Sequence, residues 1–147
     1  MTRENVERIQ KKLTTMTKKW WFFLLFLFIQ FIPPFVSKGY DVSKTGEIIG
    51  NILNNAVISS LDFLYPIFKI IPILLIISIF LFKDRTINLF NVYVAISYVL
   101  FAFLQSVAFT EQHGLAIITS NLIMFLIVAT FWFWEAIAKE NDFTTQN

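Results

Sequence analysis

The sequence predicts an all-α integral membrane protein: a four-helix bundle with one amphipathic helix on each side of the membrane. Three observations predict this class. The 147 residues are 56% hydrophobic and only 15% charged, whereas soluble domains carry about 25% charged residues. Four stretches are apolar enough to cross lipid, and the basic residues cluster on one side of them. A chain of this length fits a single membrane domain.

Residues 1–19 are expected to form a basic amphipathic helix in the cytoplasm. Apolar side chains recur along it at the spacing of one helical stripe, namely Val6, Ile9, Leu13 and Met16. A helix of this kind either adheres to an anionic leaflet or docks on another subunit. Residues 20–36 then predict the first span, because they carry no charge and follow two lysines that can reach the interface. Pro33, Pro34 and Phe35 stand where a signal peptide would need small residues, so this span is interpreted as a retained anchor.

Residues 43–64 predict an outer interfacial helix, with Ser43 or Thr45 as its N-cap and an apolar face at i, i+3 and i+4 steps. A connection this long and apolar is not typical of a passive linker. It is expected to cover this bundle or another subunit, and to bend into the next span at Pro66.

The remaining spans are predicted at residues 65–82, 87–109 and 115–137, and a cytoplasmic tail at 138–147. Pro72 is expected to kink the second span without ending it. The third and fourth spans are joined by a turn of five residues, so they should be antiparallel neighbours.

The distribution of lysine and arginine predicts that both termini are cytoplasmic, in the plasma (inner) membrane. Nine basic residues fall on that side: Arg3, Arg8, Lys11, Lys12, Lys18, Lys19, Lys83, Arg85 and Lys139. Only Lys38 and Lys44 fall on the other, and Lys69 lies within a span.

Composition excludes several kinds of chemistry. The chain has no cysteine and one histidine, so thiolate metal sites and a haem held by two of its own histidines are ruled out. A net charge of +2 gives no reason to expect nucleic acid. No metal and no tightly held cofactor are expected, although bound lipid or quinone is compatible with the chain.

One polar layer is predicted about 6–9 Å below the outer boundary of the spans. It contains one residue of each span, namely Gln30, Lys69, Gln105 and Asn121. Asp62 could pair with Lys69. Such residues either hydrogen-bond between helices or line a site for a polar ligand, lipid head group, quinone or ion. In the outer turn, Glu111 and His113 are too few to predict a metal site.

Three functional hypotheses remain open at this point. Short loops and missing catalytic groups favour an accessory or scaffolding subunit of a larger membrane complex. A small homo-oligomeric transporter or channel would use the polar layer. A membrane enzyme or lipid-binding protein would need Lys69, Asp62, Glu111 and His113 to converge. The expected partners are membrane lipid and either other subunits or further copies of the chain.

Overall fold

A computed structural model describes residues 3–82 and 84–138, and within that part the chain is mostly helical. Apart from Ala138, the predicted tail lies outside the described residues, as do Lys83 and Lys139. The elements in chain order are α1 (Arg3–Thr17), α2 (Trp20–Gln30), β1 (Phe35–Val36), α3 (Thr45–Asn54), α4 (Tyr65–Phe82), α5 (Asp84–Leu104), β2 (Val107–Thr110), β3 (Gly114–Ile117) and α6 (Thr119–Ala138).

Three of these helices, α4, α5 and α6, are long and apolar enough to cross a membrane. At 1.5 Å per residue they measure roughly 27–32 Å, which matches the hydrocarbon thickness. Helix α4 occupies the range predicted for the second span. Helix α5 ends at Leu104 and α6 begins at Thr119, so both are shorter at this end than the predicted spans, which reached residue 109 and began at residue 115.

The long helices pack around an antiparallel pair, α5 and α6. Two aromatic contacts set their register: Phe90 lies 6.0 Å from Trp132 and Tyr98 lies 6.0 Å from Phe125, between ring centroids. Helix α4 packs on α5, and α2 packs on α6. The main contacts between these helices therefore follow the order α2–α6–α5–α4, which we call the row of helices. The predicted helical character is confirmed, whereas the four-helix bundle stays a prediction.

The first predicted span, residues 20–36, is helical only in its first part. Helix α2 has 11 residues, about 16 Å, which is half of the hydrocarbon thickness. Pro33 and Pro34 end the helical region because proline has no N–H to donate and clashes with the preceding turn. The start of α2 lies beside the C-terminal half of α6, since the rings of Phe22 and Phe131 are 6.1 Å apart. From the end of α2 to β1, the chain continues as a non-helical segment.

The prediction of an all-α fold is wrong in one respect, because the chain contains a small sheet. Its strands are antiparallel in the order β1-β3-β2. The pairing joins Phe35 to Ile117 across β1 and β3, and Val107 to Ile117 across β2 and β3. The hairpin turn is closed by Gly114, whose φ of 68° is available to glycine at little cost.

A well-packed core lies between α3 and this sheet. Helix α3 contributes Ile48 and Ile52, which are 3% and 1% exposed. They pack on strand residues of the sheet and on the residue after it: Val36, Ala108, Ala116 and Ile118. The continuous helix predicted over 43–64 is instead α3 flanked by short 3-10 turns at Val42–Lys44, Val57–Ser60 and Asp62–Leu64. We call α3 and the three strands the sheet end of the molecule.

Helix α1 lies beside α2 and α6, away from the sheet end. It packs on α2 and α6, and the indole Nε1–H of Trp134 donates to Oε1 of Gln10. Its apolar positions Val6, Ile9 and Leu13 are half-buried, whereas Arg8 is exposed. The predicted amphipathic helix is therefore present, with three residues of its apolar stripe half-buried within the chain and the fourth, Met16, 43% exposed.

Candidate functional site

The clearest candidate site is a cavity beside Lys69, between the 3-10 region and the adjoining parts of α4 and α5. Its volume is about 150 Å³. The lining residues come from the 3-10 region, from α4 and from α5: Ile58, Leu61, Leu64, Tyr65, Phe68, Lys69 and Phe101. The cavity thus combines apolar walls with one ammonium group.

The local sequence explains how this cavity forms. Pro66 in the first turn of α4 fixes the direction of the helix, since proline is favoured where the N–H would be unsatisfied anyway. Tyr65 and Lys69 are four residues apart and so share one side of the helix. The Lys69 ammonium lies 4.3 Å from the centre of the Tyr65 ring, and Phe68 lies 5.3 Å from Phe101 on α5. Phe68 and Phe101 therefore pack between the two helices, and both line the cavity.

The structure places the other three residues of the predicted polar layer at helix ends. Gln30 is the last residue of α2 and is exposed. Gln105 follows the last residue of α5, where its backbone N–H donates to the carbonyl of Phe101 at 3.0 Å. Asn121 lies in the first turn of α6. Lys69 lines the cavity described above, whereas these three residues are not among its lining residues.

The position of Gln30, Gln105 and Asn121 at helix ends explains why these residues are polar. The ends of a helix leave backbone groups unpaired, so polar residues and water are favoured around them. The junction is closed by the Ile118 N–H, which donates to the Ser106 carbonyl at 2.8 Å. The level of Gln105 and Asn121 therefore marks the boundary between the apolar helices and the sheet end.

The outer-turn residues hold strand β1 in place. The backbone carbonyl of Glu111 accepts a hydrogen bond from Nζ of Lys38. The carbonyl of His113 accepts from the Ser37 hydroxyl at 3.3 Å, and its N–H donates to Oγ1 of Thr110 at 3.1 Å. Within residues 3–82 and 84–138, no three His, Cys, Asp or Glu side chains come together to hold a metal.

Asp62 opens the 3-10 turn Asp62–Leu64, but its side chain lies outside what the structure describes. The predicted pairing of Asp62 with Lys69 therefore stays a prediction. Whether the Asp62 carboxylate approaches Lys69, Glu111 and His113 likewise stays a prediction. Glu111 and His113 belong to the hairpin turn, and neither lines the cavity beside Lys69.

Sequence reasoning missed Asp41, which is the N-cap of the 3-10 turn Val42–Lys44 that leads into α3. The N-cap position of α3 itself is Lys44, without a side-chain cap, so neither Ser43 nor Thr45 has the predicted role. The Asp41 carboxylate accepts from the Ser43 N–H at 2.9 Å. This backbone hydrogen bond, with a smaller contribution from the Ser43 hydroxyl, holds the pKa of Asp41 below its ordinary value of 3.8. The signal was present in the sequence, because Asp two residues before Ser is a common capping arrangement.

The fold defines a class: a mostly helical chain with three helices suited to a membrane and a small mixed α/β cap at one end of them. Comparison with protein-family models, with curated proteins and with solved structures found no match to this chain.

Proposed function

We propose that the chain is a non-catalytic accessory subunit that scaffolds a larger membrane protein complex. One observation carries the proposal: across Tyr65–Phe82, all of which the structure describes, no residue is buried. Large apolar side chains are exposed on more than one side of α4, as shown by Leu74 at 56%, Ile76 at 47% and Phe80 at 80% exposure.

The position of α4 in the row supports this proposal. A helix inside a bundle packs on two neighbours, but α4 lies at one end of the row and packs mainly on α5 among the long helices. Helix association in lipid depends on close van der Waals packing and interhelical hydrogen bonds. An edge helix that forms few such contacts within its own chain is available to form them with a neighbouring protein.

The sheet end supports the scaffolding part of the proposal. Its core of α3 and strand residues includes Ala108 and Ala116 at 0% exposure. Strand β2 follows α5 and strand β3 precedes α6, so this core joins the ends of those two helices. The chain therefore combines a packed cap with laterally exposed helices, which is a suitable arrangement for positioning other membrane subunits.

The test is extraction of the tagged chain from its native membrane in a mild detergent, with the photo-crosslinking residue placed at Ile73. We expect one other membrane protein to co-purify with the chain at a fixed ratio through two chromatographic steps. The residue at position 73 should crosslink to that protein. The matched control is the same residue at Gln112, which is exposed in the hairpin turn and should not give that adduct. A stable lone monomer, or a homo-oligomer without another protein, would overturn the proposal.

A further inference from the structure

We propose that the cavity beside Lys69 binds one anionic phospholipid, with the phosphate on the Lys69 ammonium and part of one acyl chain between α4 and α5. This inference does not depend on the proposed scaffolding role, since it concerns a lipid between α4 and α5 of one chain and its test measures lipid binding to the chain alone. It rests on the chemistry of the cavity walls, on the charge at its rim and on its depth.

The walls of the cavity are mostly apolar and favour a hydrocarbon occupant. Lys69 is the only charged residue among the seven that line the cavity, and the other lining groups are aliphatic or aromatic. A volume of about 150 Å³ corresponds to roughly five water molecules, but water needs two to four polar partners to be stable in a cavity. Apolar cavities of this size stay dry and accept small apolar molecules. A short length of acyl chain is therefore a better occupant than water.

The ammonium group of Lys69 at the rim of the cavity favours an anion. The Lys69 ammonium lies over the Tyr65 ring at 4.3 Å, a geometry in which the ring face attracts the cation. Lys69 is exposed, and an ammonium has three N–H donors, so donors remain for an anionic oxygen. The ring contact also restricts the side chain to this side of α4, which lowers the entropy lost when an anion binds.

The depth distinguishes a phospholipid from a free anion. Lys69 lies four residues after the start of α4 and Phe101 three residues before the end of α5. These separations correspond to about 6 Å and about 4.5 Å inside the helix ends. A lysine at this depth can extend its stem to the interface and place the ammonium at the lipid phosphates, while the apolar walls lie at the level of the first part of the acyl chains. A free phosphate would leave the apolar walls without an occupant.

Native mass spectrometry of the detergent-purified chain, titrated with phosphatidylglycerol or phosphatidylcholine, tests the proposal. We expect the wild-type chain to retain one phosphatidylglycerol in preference to phosphatidylcholine. Lys69→Met should weaken that binding about fivefold, as expected for loss of one lysine near a lipid phosphate, and Lys69→Arg should preserve it. Phe101→Trp fills the cavity while keeping the ammonium, and it should also weaken binding.

Lys44→Met is the matched control, because Lys44 is also an exposed lysine near the sheet end but does not line the cavity. The basic residues of α1 attract anionic lipid in every variant, so only the difference between variants reports the site. Equal phosphatidylglycerol binding by wild type and Lys69→Met would overturn the proposal. Binding of a free fatty acid or of inorganic phosphate without phosphatidylglycerol would overturn it as well.

Discussion

At the scale of single residues, two glycines with positive φ have different roles. Gly39 has a φ of 73° and open space where a Cβ would lie, whereas a Cβ at Gly114 would overlap Oγ of Ser37. That hydroxyl accepts from the Leu115 N–H at 3.0 Å and donates to the His113 carbonyl. Gly114 is therefore needed for its conformation and for the close approach of β1.

Gly114→Ala should destabilise the sheet more than Gly39→Ala does. Both variants place alanine in a left-handed conformation at a cost of about 1 kcal/mol. Gly114→Ala also displaces Ser37, which loses two hydrogen bonds of about 1 kcal/mol each, so the total is about 3 kcal/mol. Amide hydrogen exchange of β3 measures the difference. Equal exchange in the two variants would contradict the role assigned to the Ser37 contact.

Asp41 should give the cap of the α3 region a dependence on pH. Its pKa is lower in the folded chain than the ordinary value of 3.8, so the hydrogen bond from Ser43 stabilises the cap above that value. The stabilisation is lost as the pH falls from 3.8 through the folded pKa. Titration of the Asp41 carboxyl by NMR in micelles should give a midpoint below 3.8, closer to that value in Ser43→Ala. A midpoint at or above 3.8 would contradict the capping geometry.

At the scale of elements, the core of the sheet end should depend on one face of α3. Ile52→Ala leaves a cavity at a position only 1% exposed and should cost about 3 kcal/mol. Leu53 is the next residue but is 41% exposed, so Leu53→Ala should cost less than about 1 kcal/mol. Hydrogen exchange of α3 and β3 amides provides the measurement. A larger effect at Leu53 would mean that the other face of α3 carries the packing.

The sequence predicted the elements whose signals are local. The range Tyr65–Phe82 follows from Pro66 at its start and a continuous apolar run behind it, and helix α1 follows from its 3.6-residue stripe. The antiparallel packing of α5 and α6 follows from the short turn between them. In each case the information lies within about 20 consecutive residues, which is the range over which periodicity can be read.

The sheet was missed because its evidence is distant along the chain. Residues 107–109 and 115–117 continue the apolar runs of α5 and α6, so composition alone does not separate strand from helix. What makes them strands is pairing with one another and with Phe35 and Val36, about 80 residues earlier. The cavity was missed for a related reason: Tyr65 and Lys69 are visible as an i,i+4 pair, but Phe101 comes from another helix.

At the scale of the whole molecule, the predicted first span makes a topological prediction. If residues 20–36 cross the membrane, as the sequence predicts, α1 and the hairpin turn lie on opposite sides of it, because α4 and α5 add two further crossings. Because the chain has no cysteine, single cysteines can report each end cleanly. Gln112→Cys should react with a membrane-impermeant maleimide in intact cells, and Thr14→Cys only after permeabilisation.

Labelling of both positions from the same side would show that residues 20–36 do not cross the membrane. The matched control is Thr15→Cys, since Thr15 is exposed on α1 like Thr14 and should behave as Thr14→Cys does. The predicted cytoplasmic location of both termini depends on this result, because the structure contains no membrane to orient the chain.

The hydrogen bond between Ser37 and Leu115 joins positions 78 residues apart, and this has a consequence for biosynthesis. A ribosome adding about 5–20 residues per second needs roughly 4–16 s to make that much chain. During this interval β1 has no partner strand. The hairpin of β2 and β3 is therefore the part of the chain that fixes β1 in place, several seconds after β1 itself has been made.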